Sequence, residues 1–173
     1  MVRKETEHQE KKKKLAKIPR TERPKRKMEE GSPHSFSVSE LLKKAESLFA
    51  ECQFELAMKF YQRVLEIEPN NIQGLDGMGS LLLECGELDN AKEALIRSIR
   101  LAPESGAMKY LNLAQLLNGL DAIKCYHKGI ELLIAHRAAV LVEGGQSELV
   151  EDLNQQIVSA YCATVEIYLT DSW

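Results

Sequence analysis

The sequence predicts an all-α fold, an α-solenoid of about three helix pairs plus a further C-terminal helix, preceded by a disordered basic tail. Apolar residues recur at spacings of three and four from residue 37 onward, which is typical of amphipathic helices. Pro69 and Pro103 each follow a predicted helix and lie 34 residues apart, a period found in helical repeats. Residues 1–35 are different in kind, because they are rich in lysine and poor in apolar side chains.

The chain divides into a tail, residues 1–35, and a repeat domain, residues 36–173. The tail carries twelve Lys/Arg against six Glu, a net +6, and the remainder eleven against twenty Asp/Glu, a net −9. The tail has too few apolar residues to offset the entropy of ordering, so we expect it to be disordered. Its Pro24, Lys25, Arg26 and Lys27 look like a nuclear-localisation signal. This motif predicts binding to an importin and a location in both cytoplasm and nucleus.

The repeat begins at a capping-box pattern, in which Glu40 stands three residues after Ser37. Small residues then recur 34 positions apart, and so do large ones. The pairs are Ala45 and Gly79, Ala57 and Ala91, Leu48 and Leu82, and Tyr61 and Leu95. The small residues let two helices approach closely, while the large ones fill the layer between repeats. This order at this period is typical of tetratricopeptide repeats, and it predicts repeats at about 38–71, 72–105 and 106–143, with an incomplete fourth pair at 147–173.

The third repeat is predicted to be clipped. Ala114 and Ala122 lie 8 residues apart, where the corresponding residues of the earlier repeats lie 12 apart. The first helix or its turn has therefore lost about one helical turn, and we expect the second helix to run from about Asp121 to Val142, where Gly144 and Gly145 stop it.

A last helix is predicted in SELVEDLNQQIVSAYCATVEIYL. We expect its inward face to carry Tyr161, Val165 and Tyr168. The outer face, with Cys162, Leu169 and Trp173, then lacks a second helix to cover it.

The predicted use of stacked helix pairs is protein binding, in a groove lined by the first helix of each pair. The repeat register places ten residues there: Leu42, Glu46, Phe49, Asp76, Ser80, Leu83, Glu84, Leu111, Gln115 and Asn118. Mixed acidic and apolar side chains suit a basic, extended peptide with a few apolar anchors. Repeat domains that clamp the C-terminal carboxylate of heat-shock chaperones carry Lys and Asn where this chain has Leu42 and Glu46, so that role is disfavoured.

No constellation of residues predicts catalysis, so we expect no enzyme, no cofactor and no metal site. The four cysteines are widely spaced and contain no CxxC pair, which favours buried thiols over metal ligands. No apolar run reaches the length of a membrane helix. The basic tail has no aromatic residue among its lysines, so a stacking nucleic-acid site is not expected and no specific nucleic acid is predicted.

Three features together resemble the dedicated assembly chaperones of large-subunit ribosomal protein four. They are the two regular repeats, the clipped third repeat YLNLAQLLNGLDAIKCYHKGIELL, and the ending LNQQIVSAYCATVEIYLTDSW. The ending carries the residues of the family motif, which are Cys162, Glu166, Tyr168, Thr170 and Asp171. The resemblance covers residues 36–173. Members of the family continue beyond this motif with further helices, so if this chain is shorter than the functional form, the resemblance implies that part of the groove lies beyond Trp173.

The resemblance implies a non-catalytic chaperone that captures the newly made basic ribosomal protein and escorts it for ribosome assembly. An acidic body, a mixed groove and an import-like tail fit that expectation. Two alternatives stay open at this point. One is a general tetratricopeptide adaptor in another protein complex, and the other is a nucleic-acid-associated factor that acts through the basic tail.

Overall fold

The computed structural model of the protein describes residues 36–170. They form seven α-helices and no strand, namely α1 (Val38–Ala50), α2 (Phe54–Ile67), α3 (Ile72–Glu84), α4 (Leu88–Leu101), α5 (Ala107–Ala114), α6 (Gly119–Val142) and α7 (Ser147–Thr170). Each helix packs on the next along the chain, and the first helices of successive pairs also touch, α1 with α3 and α3 with α5. This is the expected all-α solenoid. The predicted tail, its import-like motif and Trp173 lie outside the described residues.

The predicted helix start at Ser37 is confirmed. The Ser37 amide donates to the Glu40 carboxylate at 2.7 Å, and the Glu40 amide donates to the Ser37 hydroxyl at 3.3 Å, which is a capping box. Asn71 caps α3 in a simpler way, with its side-chain oxygen accepting from the Gly74 amide at 2.8 Å. Caps of this kind satisfy amides that have no partner within the helix.

The turns inside the first two helix pairs have the same backbone conformation. Each contains one residue with a left-handed backbone, and these two residues lie 34 positions apart in the sequence. Gly86 has φ +77° and Cys52 has φ +58°. In each turn an amide reaches back around the helix end, Gln53 N to Leu48 O at 2.8 Å and Glu87 N to Leu82 O at 2.9 Å. Glycine adopts this conformation without strain, whereas a Cβ makes it costly for Cys52.

The first junction, where α2 meets α3, is apolar and tightly packed. A Cβ on Gly77 would lie 2.4 Å from the ring of Tyr61, and one on Gly74 would lie 2.9 Å from Val64. Tyr61 is 2% exposed and Val64 is completely buried. The small residues predicted from the repeat play the same part within pairs: a Cβ on Gly79 would lie 2.7 Å from the Leu95 side chain.

The second junction, where α3 and α4 meet α5, is built from polar side chains. They are Asp76, Ser80, Ser98, Lys109 and Asn112, and their hydrogen bonds join the second repeat to the third. Two apolar clusters lie on either side of this polar layer. The buried residues of one belong to α1 to α4, with the half-buried Leu116 that follows α5 packed against it, and those of the other belong to α5, α6 and α7.

The proline-containing turns are held by side chains from the following repeat. The Arg97 guanidinium donates to the Pro69 carbonyl at 2.7 Å and to Asn70 Oδ1 at 2.9 Å. The Tyr110 hydroxyl donates to the Pro103 carbonyl at 2.8 Å. These bonds fix the angle at which one repeat follows the next.

The clipped third repeat and its long second helix are confirmed. Helix α5 has 8 residues and α6 has 24. Helix α6 starts at Gly119, two residues before the predicted start, and ends where Gly144 takes φ +69°. The Gly145 amide then donates to the Val140 carbonyl at 2.8 Å, a helix stop that glycine favours.

The predicted inward face of the last helix was wrong. The residues that pack on α6 are Leu153, Ile157, Ala160 and Thr164, which are all buried. Tyr161, Val165 and Tyr168 are 49%, 52% and 50% exposed. After Ile157 the buried stripe continues through Ala160 and not through Tyr161. The buried face of α7 therefore differs from the predicted face by one residue position, a rotation of roughly 100° about the helix axis. The small Ala160 and the polar Thr164 concealed this stripe from a search for large apolar residues.

Among residues 36–170, no helix combines the length and the apolar character that crossing a lipid bilayer requires. The cysteines were expected to be buried, and this was wrong for three of them. Cys52, Cys85 and Cys162 are exposed, and Cys125 is half-buried. No group of three His, Cys, Asp or Glu in the described part of the chain is placed to hold a metal ion.

Candidate protein-binding surface

The candidate surface is formed by the first helices of the pairs, α1, α3 and α5, together with α7. Because α1 contacts α3 and α3 contacts α5, side chains on their common side come together although they are distant in sequence. Two pockets lie on this surface, one of about 420 Å³ beside α1 and one of about 620 Å³ between α5 and α7. We call them the acidic pocket and the amide pocket.

The acidic pocket contains two of the predicted residues. Leu42 is 6% exposed and forms its floor, while the Glu46 carboxylate stands at its edge in solvent. Glu68, at the end of α2, brings a second carboxylate to the same pocket, which the repeat register did not reveal. Lys43 lies at its border. The arrangement offers an apolar contact beside two carboxylates, which suits a lysine or arginine side chain with its long apolar stem.

Phe49, the third residue predicted on the first repeat, does not line the acidic pocket and packs within the α1–α2 helix pair. It is half-buried, and its ring centroid lies 5.8 Å from that of Phe54 at a tilted angle. Such a contact stabilises the α1–α2 hairpin. The ring edge that remains accessible is the part a ligand could touch.

Asp76 does not act as an open groove carboxylate in this structure. Its Oδ1 accepts a short hydrogen bond from the Ser98 hydroxyl, and Lys109 Nζ lies 3.5 Å from the same hydroxyl. Lys109 is 1% exposed and also donates to the Ala102 carbonyl at 2.6 Å. Asp76 is therefore held by the second junction, a correction to its predicted place among the ligand-facing residues.

Burial dominates the electrostatics of this pair. It raises the pKa of Asp76, against the lowering effect of the Ser98 hydrogen bond and the Lys109 charge. It lowers the pKa of Lys109, against the raising effect of the Asp76 charge. Each charge thus partly compensates the desolvation of the other, which is how buried charges are tolerated.

Ser80 is also engaged inside the molecule. Its hydroxyl accepts from Asn112 Nδ2 at 2.8 Å and donates to the Asp76 carbonyl at 3.0 Å. Leu83 is half-buried against the first apolar cluster. Of the residues predicted on the second repeat, Glu84 is the exposed one.

The amide pocket contains two of the three residues predicted on the third repeat. Leu111 is 7% exposed and packs against Gly129, where a Cβ would come within 2.5 Å of it, whereas Gln115 is exposed at the mouth. Asn118 is exposed as the N-cap residue of α6 and does not line the pocket.

Helix α7 supplies residues to the amide pocket that the sequence reasoning missed. Gln155 and Gln156 line it together with Gln115, and Met108 of α5 and Tyr126 of α6 add apolar surface. Glutamine side chains can both donate to and accept from the backbone of an extended peptide. The adjacent amide side chains of Asn154, Gln155 and Gln156 within LNQQI were the available signal.

Comparisons with known proteins agree with this architecture. Residues 41–71 and 73–105 each match the tetratricopeptide repeat family. A protein of Schizosaccharomyces pombe described as "Probable assembly chaperone of rpl4" is 35% identical over 99 residues, which covers 54% of this chain and 27% of that protein. A protein of Emericella nidulans with the same description is 33% identical over 107 residues, covering 54% and 28%. The chain spans little more than a quarter of the length of these curated relatives.

Solved structures give the same result. A structure described as an assembly chaperone of RpL4 superposes with a TM-score of 0.75 at 25% identity, covering 80% of this chain and 57% of that one. A type III secretion complex from Aeromonas hydrophila reaches a TM-score of 0.61 at 13% identity, covering 78% and 83%, which concerns the fold alone. The described residues form an α-solenoid in which 41–71 and 73–105 are tetratricopeptide repeats, and the predicted resemblance to the assembly chaperones of ribosomal protein four is confirmed.

Proposed function

We propose that this chain is a non-catalytic assembly chaperone that captures a newly made basic large-subunit ribosomal protein, the counterpart of rpl4. The observation that carries the proposal is the likeness to two proteins described as assembly chaperones of rpl4, at 33–35% identity. A solved chaperone of RpL4 with the same fold supports it, as does the net charge of −9 on residues 36–173.

The two pockets suggest how such a ligand is held. The acidic pocket offers Glu46 and Glu68 to a lysine or arginine, and the amide pocket offers Gln115, Gln155 and Gln156 to the peptide backbone. An extended, basic segment lying along α1, α3 and α5 would contact both. Charge would set the encounter rate and exclude acidic segments, while the apolar floors would add affinity.

Shielding follows from the same chemistry. A basic ribosomal protein binds nucleic acid unspecifically through its lysines and arginines, and carboxylates that occupy those cations suppress this binding. Ribosomal RNA presents a far denser array of negative charge than the acidic pocket. Competition by RNA is therefore the release step that we propose, and it needs no catalytic group.

We further propose that the basic tail supports import of the loaded chaperone into the nucleus. Pro24, Lys25, Arg26 and Lys27 are the residues that would contact an importin, and the chain would then work in both cytoplasm and nucleus. Replacing the three basic residues by alanine in a fluorescent fusion should shift the protein towards the cytoplasm. An unchanged nuclear fraction would contradict this part of the proposal.

The principal test measures binding to purified ribosomal protein four of the same organism by calorimetry. We expect Glu46→Lys with Glu84→Lys to weaken binding about tenfold, since two exposed charges that attract the ligand would then repel it. The control is Glu55→Lys with Glu93→Lys, which reverses two exposed charges on the second helices α2 and α4. Circular dichroism should show equal helicity for all the variants.

Two results would contradict the proposal in different ways. If the wild-type chain does not bind this ribosomal protein, the chaperone function is wrong and the general adaptor becomes the better hypothesis. If it binds but both double variants bind equally well, the ligand lies elsewhere on the solenoid.

A further inference from the structure

A second surface lies on the outer side of α1, at the start of the solenoid. It is a pocket of about 440 Å³, which we call the cap pocket, lined by Phe36, Glu40, Lys43, Lys44, Ser47 and Phe60. Phe36 is 64% exposed, so an aromatic ring stands in solvent at the mouth. Lys43 lies at the border and also lines the acidic pocket, whereas the other five residues belong to the cap pocket alone.

The repeat register shows that this side of α1 is not built to receive another repeat. The residues 34 positions after Glu40, Lys43 and Ser47 are Gly74, Gly77 and Leu81. In α3 these residues receive α2, with Gly77 against the Tyr61 ring and Leu81 completely buried. Charged and hydroxyl side chains at the same positions of α1 prevent that kind of stacking. A terminal repeat is expected to carry a polar outer face.

A polar outer face that only contacts solvent would not need the two phenylalanines, Phe36 and Phe60, that line the cap pocket. Phe36 precedes α1 and Phe60 belongs to α2, and between them the apolar ring surfaces face a pocket large enough for one or two side chains. Exposed aromatic residues beside polar ones are typical of sites that bind a protein segment.

The charge that the cap pocket presents is positive. The Glu40 carboxylate already accepts from the Ser37 amide at 2.7 Å and from its hydroxyl at 2.8 Å, and these hydrogen bonds lower the pKa of Glu40. Lys43 and Lys44 are exposed, and neither forms an ion pair within residues 36–170. Two exposed lysines thus remain to meet a partner, although part of the Lys43 charge acts on Glu40, whose carboxylate also accepts hydrogen bonds from its own helix cap.

We propose that the cap pocket binds an acidic peptide segment with an aromatic or aliphatic anchor. The anchor would sit between Phe36 and Phe60, and flanking carboxylates would pair with Lys43 and Lys44. This preference is opposite to that of the acidic pocket, which favours basic ligands. Helix α1 would therefore bind two kinds of partner on its two sides, so that an acidic factor could be recruited while the groove is loaded.

The test titrates the full-length, ¹⁵N-labelled chain with two synthetic peptides and follows the amide chemical shifts. The probe is acetyl-EELFEE-amide, and the charge-reversed control is acetyl-KKLFKK-amide. We expect the acidic peptide to shift the amides of Phe36, Lys44, Ser47 and Phe60, and the basic peptide to leave them unchanged. The affinity should fall as salt is raised, because exposed charges are screened.

Two variants test the assignment of residues. Lys44→Glu and Phe36→Ala should each weaken binding of the acidic peptide about tenfold or more. Both replace exposed side chains, so helicity should be preserved. Lys59→Glu, an exposed lysine of α2 that does not line the pocket, is the matched control and should leave the affinity unchanged.

Several outcomes would overturn the proposal. One is that the acidic peptide does not bind, another is that the two peptides bind equally well, and a third is that the shifted amides all belong to the acidic pocket. An affinity loss in Lys59→Glu as large as that in Lys44→Glu would also overturn it. Concentration-dependent dimerisation that Lys44→Glu abolishes would assign the face to a second copy of the chain instead. If Glu29→Lys with Glu30→Lys tightens binding of the acidic peptide, these two residues of the chain itself compete for the cap pocket. The pocket would then be assigned to the chain's own acidic residues. None of these outcomes bears on binding of the ribosomal protein, so the two proposals fail separately.

Discussion

The two junctions between repeats solve the same packing problem with different chemistry. At the first junction Gly77 lets the ring of Tyr61 lie directly against α3, and the contact is apolar. At the second junction Asp76, Ser98 and Lys109 form a hydrogen-bonded polar layer. The first depends on shape and the second on charge compensation. A repeat can therefore keep its period and its helix order while the forces that join it to its neighbour change completely.

The largest effect on stability is expected when a side chain is added at the first junction, where the packing depends on shape. Gly77→Val would place a Cβ 2.4 Å from the Tyr61 ring, which has little room to move. We expect the free energy of unfolding to fall by about 3 kcal/mol, measured by urea denaturation. The control is Lys43→Val, the equivalent position on the exposed side of α1, which should cost no more than about 0.5 kcal/mol. Equal losses would mean that the junction can relax around the added volume.

At the second junction the expected loss is smaller, because Asp76 keeps some access to water. Lys109→Met should lower the free energy of unfolding by about 2 kcal/mol, since it leaves the Asp76 carboxylate and the Ala102 carbonyl without their cation. The control is Lys124→Met, which removes an exposed lysine 3.0 Å from Asp121 and should change stability by less than about 0.5 kcal/mol. A neutral or stabilising Lys109→Met would show that apolar packing serves this junction equally well.

An alkaline titration sharpens the contrast. Burial, and to a lesser degree the charge of Glu46, raises the pKa of Tyr61 to about 12. The unfolded tyrosine ionises near 10, so the stability that the neutral, buried ring contributes is present below pH 10 and is lost as the pH rises towards 12. We expect the wild type to lose on the order of 1–2 kcal/mol more than Tyr61→Phe, in which the raised pKa values of Tyr110 and Tyr126 still contribute a loss. The measurement is urea denaturation at pH 9, 10 and 11, and parallel curves for both proteins would contradict the expected pKa.

The smallest effect is expected in the turns that lead to the junctions. Cys52→Gly should raise the free energy of unfolding by about 0.5–1 kcal/mol, because it removes a Cβ from a residue at φ +58°. The reverse change at the equivalent turn, Gly86→Ala at φ +77°, should lower it by about 1 kcal/mol. A Cβ on Gly86 would meet no atom within 4 Å, so any loss there reports backbone conformation alone.

The sequence predicted the features that depend on local spacing. The period from Pro69 to Pro103 placed the first four helices, the small residues marked their contacts, and Gly144 marked the end of α6. It also placed Leu42 and Glu46, which share one pocket.

Contacts that depend on the clipped repeat could not be predicted in this way. Lys109 comes from the third repeat, and the residue 34 positions before it is Leu75, so nothing in the second repeat announced a cation beside Asp76. The face of α7 was misjudged for a related reason, since Ala160 and Thr164 are neither large nor strongly apolar. Glu68 and the Gln155-Gln156 pair lie outside the first-helix positions from which the groove was inferred.

The polar layer at the second junction also has a consequence for how the solenoid opens. The buried residues of the two apolar clusters belong to different helices, and the half-buried Leu116 of the third repeat packs against the first cluster, so each cluster can hold most of its own helices together when the hydrogen bonds between them break. Amide hydrogen exchange should therefore divide the chain near Ala102 into two cooperative units with different protection. Folding can start in either unit, and the layer of Asp76, Ser98 and Lys109 would be completed when the two units meet.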